Sequence, residues 1–445
     1  MSHGIQSTII VGFRGIGALQ LIGAHLRMFA LGADPSRLAS DQWLLHAAVN
    51  WHTWLDTAMA VSAYYWTRRL LAVEETWTRR VVRRALRFWP TFLLVLPFHV
   101  ALSYSFRGWA AVEAVPADLL LLTTGWRFYE SNVAYTWSLA LDIQAHIVLA
   151  LLAVLLARRR PTHMYILCLL GAVASVVYRF HCLFGPDAYL PSPTLHLQDI
   201  AVVTPFNGPY RRWMAEFYTP IAPRIGPAFI GGLGGAASLL PHAHVLRRVL
   251  ETNALLVVAV GSAMLTTPFI FPSLPYHTGV VGTATRVNLA LCRAIWALAG
   301  TVIVLRALRL DEAAAKAKAE AEADGTADGK PLPSPLDSEP SYVRTFVAVW
   351  STPLLQPFGY YTYGMYHVNA LVCLSLAFYF GPALAHPGTY LGVFALAVVL
   401  VFSLGVLLHR LVEALMIRWG PASTRSVVQT ATKGTGKGEE RMKRD

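Results

Sequence analysis

Residues Thr8–Leu31 read TIIVGFRGIGALQLIGAHLRMFAL. A helix that crosses the ~30 Å hydrocarbon core of a bilayer needs ~20 mainly apolar residues, and this run has that length. Similar runs recur along the 445-residue chain, of which 55% is hydrophobic and only 14% charged, whereas soluble domains carry ~25% charged residues. This composition excludes a disordered chain, a coiled coil and an ordinary soluble domain. The sequence therefore predicts an all-α integral membrane protein, a polytopic bundle of transmembrane helices.

The apolar runs predict about ten spans. One of them, Phe346–Phe380, is too long for a single straight span, and Pro353 and Pro357 are expected to divide it because proline interrupts a helix. The stretch Val115–Thr124 is too short to cross. The predicted runs are Thr8–Leu31, Trp51–Trp66, Phe88–Phe106, Tyr135–Leu156, Met164–Phe184, Ile225–His242, Asn253–Phe271, Val287–Leu308, Phe346–Phe380 and Tyr390–Met416.

Arginine marks one side of the predicted bundle. The even-numbered connections and the C-terminal tail are basic or charge-rich, most clearly between Arg68 and Arg87 and at Arg158–Arg160. The positive-inside rule places these connections, and with them both termini, in the cytoplasm. The 37 Lys and Arg against 25 Asp and Glu give a net charge of +12. Because this excess lies beside apolar runs, we interpret it as topology and expect no nucleic-acid partner.

The chain is predicted to be one membrane domain with two polar additions. Residues 1–310 hold spans one to eight, 311–344 form a charged cytoplasmic linker, 345–420 hold the last two spans, and 421–445 form a basic disordered tail. The four cysteines are scattered and form no CxxC pair, so they predict neither a metal site nor a disulfide framework. The oligomeric state and the choice between plasma membrane and endoplasmic reticulum stay open.

The first span contains two ionisable residues, Arg14 and His25. Such residues are costly within a bilayer, at ~2.5 kcal/mol or more at mid-depth, and therefore often mark functional sites. Eleven residues separate them, which at 100° per residue brings both to one face of a helix, ~16 Å apart along its axis. The alternative is structural, with a snorkelling arginine and a hydrogen-bonded core histidine.

The fourth span carries a second polar group. Asp142 and His146 stand four residues apart and therefore share a helix face, with Gln144 between them and Trp137 at the start of the span. A carboxylate beside an imidazole favours the charged form of each. A structural polar clamp between helices is the alternative.

Two further sets of residues are candidates. Arg84 and Arg87 open the third span and are suited either to anchoring at the interface or to binding phosphate. Ser62 lies in the second span, six residues after Asp56. Walker, HExxH, GxSxG and dinucleotide-binding motifs are absent from any suitable context in the sequence.

Taken in order, these motifs resemble the acyltransferase-3 family of membrane proteins, most closely its eukaryotic nose-resistant-to-fluoxetine type. The resemblance covers most of the chain, from residue 14 to 413, and departs from the family where the family histidine falls on Asn369, with His367 two positions earlier. The matching segments are Arg14-Gly15 to His25, Asp56-Thr57 with Ser62, Arg84-x-x-Arg87-x-x-Pro90, Trp137-Ser138-Leu139-x-x-Asp142-x-Gln144, Pro223–Pro227, Thr362–Tyr366 and Glu413.

The resemblance implies transfer of an acyl group, commonly acetyl from acetyl-CoA or another acyl-CoA, to a hydroxyl of a carbohydrate or lipid acceptor. It also implies that the arginine and histidine of the first span are essential, with membrane lipid as the surroundings and no metal cofactor.

These motifs suggest roles for the candidate residues. We expect Arg14, Arg84 and Arg87 to hold the phosphates of the donor, His25 to act as general base, and Asp142 to orient it. A two-step route, in which His25 is itself transiently acylated, stays open as the alternative. A polar group among Ser62, Gln144 and Tyr363 would stabilise the oxyanion, and Trp137 would help to bind the acceptor.

Two other classes of protein fit the same residues. A transporter or flippase for an organic anion or a lipid would also place Arg, His and Asp inside a bundle. A non-catalytic relative that binds lipid is favoured by the missing family histidine.

Overall fold

The computed structural model of the chain is helical, and the part that it describes contains no β-strand. The described residues are 5–33, 51–72, 77–120, 122–124, 130–133, 136–157, 159–185, 219–269, 283–323, 336, 339 and 341–419. The helices among them are α1 Ile5–Ala33, α2 Trp51–Leu71, α3 Trp77–Arg107, α4 Ala110–Glu113, α5 Val115–Leu119, α6 Trp137–Leu151, α7 Pro161–Phe184, α8 Ile221–Arg224, α9 Gly226–Ala237, α10 Val245–Leu250, α11 Asn253–Phe269, α12 Thr283–Ala323, α13 Ser341–Trp350, α14 Gln356–Tyr360, α15 Thr362–Phe380 and α16 Pro387–Trp419.

Five helical stretches in the described part of the chain are long and apolar enough to cross a membrane. They support the prediction of an all-α membrane protein, while the count of ten spans and the cytoplasmic termini stay predictions. Thr8–Gly23 and Asn253–Ala263 are shorter apolar helical segments. The five long stretches are Trp137–Leu156, Pro161–Phe184, Arg286–Ala317, Thr362–Phe380 and Gly388–Val412.

The long ninth run is divided where its prolines predict. The helix α13 ends at Trp350, the short α14 begins at Gln356, and α15 begins at Thr362 as a separate apolar helix. The stretch from Val115 likewise forms only the five-residue α5, in agreement with its being too short to cross.

Glycine allows α9 to pack closely against α2. A Cβ atom on Gly231 would lie 1.9 Å from the carbonyl oxygen of Ala60, and one on Gly235 would lie 2.4 Å from that of Tyr64. Four residues separate the two glycines, so they share one face of α9 and let the two backbones approach. The glycine-rich segment is therefore a packing surface.

We use the name basic end for the end of the bundle at which α1 begins and at which α2 and α9 end. The end of α9 meets the end of α2, since a Cβ on Gly235 would lie 3.1 Å from the amide of Arg68. Ile9 near the start of α1 packs in one apolar cluster with Val302 and Ala307 of α12. From Ile9, the helical rise places His25 ~24 Å further along α1, towards the opposite end.

Candidate functional site

His25 is buried between α1 and α15. Its Nδ1 atom lies 3.0 Å from Nδ2 of Asn369, which donates to it, and both side chains are at most 5% exposed. The Cys373 thiol donates to Oδ1 of Asn369 at 3.1 Å. Asn369, where the resemblance predicts a histidine, is therefore in direct contact with His25.

Helix α1, which contains His25, packs closely against two neighbouring helices. A Cβ on Gly359 would lie 1.9 Å from the carbonyl oxygen of Val11, so α14 touches the α1 backbone. Further along α1, the hydroxyl of Tyr390 donates to the carbonyl oxygen of Gly23 at 3.0 Å. His25 thus lies on a helix that is contacted by both α14 and α16.

Asp142 pairs with His146 on its own helix. The two are joined at 3.4 Å between Oδ1 and Nδ1, and Nδ1 also lies 2.5 Å from the carbonyl oxygen of Asp142. The other ring nitrogen of His146 lies 3.3 Å from the hydroxyl of Ser62, and Trp66 packs edge-on against the ring. If Nδ1–H donates to the carbonyl, Nε2 accepts from Ser62, which fixes the tautomer. The prediction that Asp142 orients His25 stays a prediction.

Helix α15 links these two groups. Tyr366 stands three residues before Asn369 on α15. Its hydroxyl lies 2.5 Å from the Ser138 hydroxyl on α6. Residues three apart share a helix face, so α15 contacts the fourth-span motif through Tyr366 and the first-span motif through Asn369. A cavity of about 10 Å³ lies beside Tyr366 and Asn369, which is about the room that one water needs.

The other predicted substrate-binding residues have different surroundings. Trp137 lies under the guanidinium of Arg224, 4.7 Å from the ring centre. Gln144 donates to the Thr124 hydroxyl at 3.3 Å. Tyr363 is half-buried and packs against an apolar cluster that includes Phe92 and Val133.

The predicted donor-binding arginines are only partly described. Arg14 lies on α1 with its side chain exposed. Arg84 and Arg87 lie on the helical backbone of α3, and their side chains lie outside the described part of the structure.

Asp56 is the centre of a buried charge cluster that the sequence did not predict. Its Oδ1 atom lies 2.8 Å from Nη1 of Arg224 and 3.3 Å from Nη1 of Arg293. All three residues are at most 4% exposed. Arg179 is also buried, and its guanidinium donates to the carbonyl oxygens of Leu289, Ala290 and Pro223. The cluster joins α2, α7, α8 and α12.

Sequence reasoning missed Arg179, Arg293 and Tyr366 as site residues. The two arginines lie within predicted spans five and eight, where the high cost of an ionisable side chain is the signal that could have found them. Tyr366 was part of a matching motif, but nothing local distinguishes it from the neighbouring Tyr363.

A buried carboxylate also organises the segment between α3 and α6. Asp118 accepts hydrogen bonds from the Ser131 hydroxyl at 2.6 Å and from the backbone and side-chain nitrogens of Asn132 at 3.1 and 2.9 Å. Burial raises the pKa of this carboxyl above its usual value, and the hydrogen bonds from Ser131 and Asn132 oppose that rise. Asp118 lies outside the predicted spans, on α5.

Comparison of the chain with protein-family models, with curated proteins and with solved structures finds no match.

Proposed function

We propose that this protein is an integral membrane O-acyltransferase, which moves an acyl group from acyl-CoA to a hydroxyl of a carbohydrate or lipid acceptor. The observation that carries the proposal is the buried contact between His25 and Asn369 at 3.0 Å. It places a neutral hydrogen-bonding partner on the histidine that the motif singles out. A base for acyl transfer needs such a partner to fix which ring nitrogen carries the proton.

In the proposed reaction His25 acts as general base. It takes the proton of the acceptor hydroxyl as the oxygen attacks the thioester carbonyl. Collapse of the tetrahedral intermediate breaks the carbon–sulfur bond, and His25 returns the proton to the departing thiolate. The products are an ester and free CoA thiol.

Asn369 is the proposed positioning residue for His25. In the structure Nδ2–H of this amide donates to Nδ1, so the neutral imidazole carries its proton on Nε2. If the amide flips, Oδ1 accepts Nδ1–H and leaves Nε2 as the base. Rotation of this amide about its last bond thus selects the tautomer. The group formed by Asp142, His146 and Ser62 would then act on the acceptor side.

The donor is proposed to enter from the basic end. Arg14, with Arg84 and Arg87, would hold its phosphates by charge-assisted hydrogen bonds. The helical rise separates Arg14 from His25 by ~16 Å along α1, which lets the thioester arm extend inward along the helix. Candidate oxyanion donors are Ser62, Gln144 and Tyr363, with Trp137 lining the acceptor side.

The first test is release of free thiol from acetyl-CoA by the purified full chain in vesicles, followed by acetylation of candidate hydroxyl acceptors. We expect His25→Ala and Arg14→Ala to abolish release, while the exposed controls His163→Ala and Arg69→Ala keep it. Wild-type release from the His25→Ala protein would refute the general-base role.

A carrier for an organic anion is the second candidate, because the cluster of Asp56 with Arg224 and Arg293 buries charge between helices. Buried charges at such positions also mark substrate pathways in transporters. A carrier would move its solute into vesicles without acyl-CoA and would release no thiol. The acetyl-CoA assay therefore separates the two classes.

A further inference from the structure

A cavity of about 700 Å³ opens at the basic end, between α10, α11 and α12. Its volume is within the usual range of small-molecule sites. His25 lies towards the opposite end of the bundle, and none of the residues proposed for acyl transfer lines the cavity. The cavity is lined by His242, Arg248, Glu251, Thr252, Asn253, Arg306, Arg309, Glu312, Ala313 and Lys316.

The acidic residues of this cavity are already bound by other side chains. Arg247, which lies behind the cavity wall and is 4% exposed, donates from Nε to Glu251 at 2.6 Å and from Nη2 to Glu312 at 2.8 Å. His242 also lies 3.2 Å from Glu312. Burial lowers the pKa of Arg247, but its bonds to the two carboxylates outweigh this and raise it, so Arg247 stays charged. Both carboxylates therefore accept hydrogen bonds from a residue behind the wall.

Two arginines of the cavity have no such partner. Arg248 and Arg309 are exposed, and neither forms an ion pair within the part of the chain that the structure describes. Among the described residues, Lys316 forms one ion pair, an exposed one with Glu320 at 3.6 Å, and such surface pairs are weak. Their charge therefore faces the cavity uncompensated.

Arg306 adds a donor to the same wall. It is 9% exposed and is held through Nη2 by Glu339 and through Nη1 by the carbonyl oxygen of Glu251 at 3.5 Å. Its Nε–H has no acceptor among the described residues. An arginine fork that is fixed on one edge and unsatisfied on another is suited to a planar or tetrahedral oxyanion.

We propose that this cavity binds a phosphate-bearing anion at the basic end of the bundle, with Arg248 and Arg309 as its charged contacts. Basic pockets between membrane helices on the cytoplasmic side hold the phosphate groups of anionic lipids. A soluble nucleotide such as CoA presents the same chemistry. The site is independent of the acyl-transfer chemistry, and its test uses no acyl acceptor.

The test measures thermal stability of the full chain in detergent against rising concentrations of three probes. These are inorganic pyrophosphate, short-chain phosphatidylinositol bisphosphate and CoA, with short-chain phosphatidylcholine as the neutral probe. The variant is Arg248→Gln with Arg309→Gln, and both positions are exposed, so folding is not at risk. The matched control is Arg160→Gln with Arg344→Gln, two exposed arginines outside the cavity.

We expect at least one phosphate probe to stabilise the wild type, with affinity lowered tenfold or more in the cavity variant and unchanged in the control. Binding of the lipid probe alone identifies a membrane headgroup as the source, and binding of CoA or pyrophosphate identifies a soluble one. Stabilisation by no phosphate probe would overturn the proposal. Equal affinity in the cavity variant, or equal loss in the control, would overturn it as well.

Discussion

Neutralising Asp56 tests the buried charge cluster most directly. Asp56→Asn keeps the volume of the side chain and removes the carboxylate that joins Arg224 and Arg293. Loss of that charge leaves two guanidinium groups facing each other in a site from which water is excluded. We expect the variant to unfold more easily, because removal of one partner from a buried ion pair leaves an uncompensated charge.

The distances set the magnitude. With an effective dielectric constant of ~20, unit charges 2.8 and 3.3 Å apart attract by ~6 and ~5 kcal/mol. Desolvation of the carboxylate, at several kcal/mol, opposes this attraction. We therefore expect a loss of ~3–5 kcal/mol, the range usually found when one partner of a buried ion pair is removed.

The assay is reversible unfolding of the full chain in mixed micelles, with the free energy of unfolding taken from the denaturant midpoint. Glu113→Gln is the matched control, since Glu113 is an exposed carboxylate on α4 and should change stability by less than ~0.5 kcal/mol. Adding Arg293→Met to Asp56→Asn should recover part of the loss, because it removes one of the two facing charges. A loss below ~1 kcal/mol for Asp56→Asn would refute the view that the ion pairs of Asp56 with Arg224 and Arg293 hold α2 to α8 and α12.

Three other variants test separate contacts. Asn369→Leu should lower the rate of acyl transfer about 10²-fold through misplacement of His25, with the KM for the donor unchanged. Asn369→Asp should retain more activity than Asn369→Leu. Equal rates for Asn369→Leu and wild type would contradict the positioning role. Gly231→Ala should lower the free energy of unfolding by ~1–3 kcal/mol, since its Cβ would lie 1.9 Å from the Ala60 carbonyl oxygen. Gly261→Ala is the control, because nothing lies within 4 Å of a Cβ at that position. Because the pKa of Asp118 is raised in the folded state, its contribution to stability is most favourable below pH ~3.8 and is lost as the pH rises through the folded-state pKa. The free energy of unfolding of Asp118→Asn relative to that of the wild type should therefore increase between pH 4 and 7. A difference that does not change with pH would exclude this coupling.

Local sequence features predicted the elements of the fold. Run length and composition indicated membrane helices, and Pro353 and Pro357 indicated where the ninth run divides, because each of these signals acts within one turn or one span. The pairing of Asp142 with His146 was predicted for the same reason, since a spacing of four residues fixes a shared helix face whatever lies around it.

The partners between helices could not be predicted in this way. A helical period shows which residues share a face, but it contains no information on which helix that face meets. Asp56 lies 168 residues from Arg224 and 237 from Arg293. Packing of both α9, which follows α8, and α12 against α2 brings them within hydrogen-bonding distance.

Asn369 shows why a departure from a motif must be judged by its contacts. It stands where the resemblance predicts a histidine, and that departure favours a relative without catalytic activity. In the structure it lies 3.0 Å from His25, from a position 344 residues away. A histidine at this position would add a second titratable ring against His25 in a buried site, and protonation of either would oppose protonation of the other. An amide cannot titrate, yet it offers both a donor and an acceptor. It therefore keeps a hydrogen bond to His25 and leaves His25 as the titratable member of the pair, which is the arrangement that the proposed general base requires.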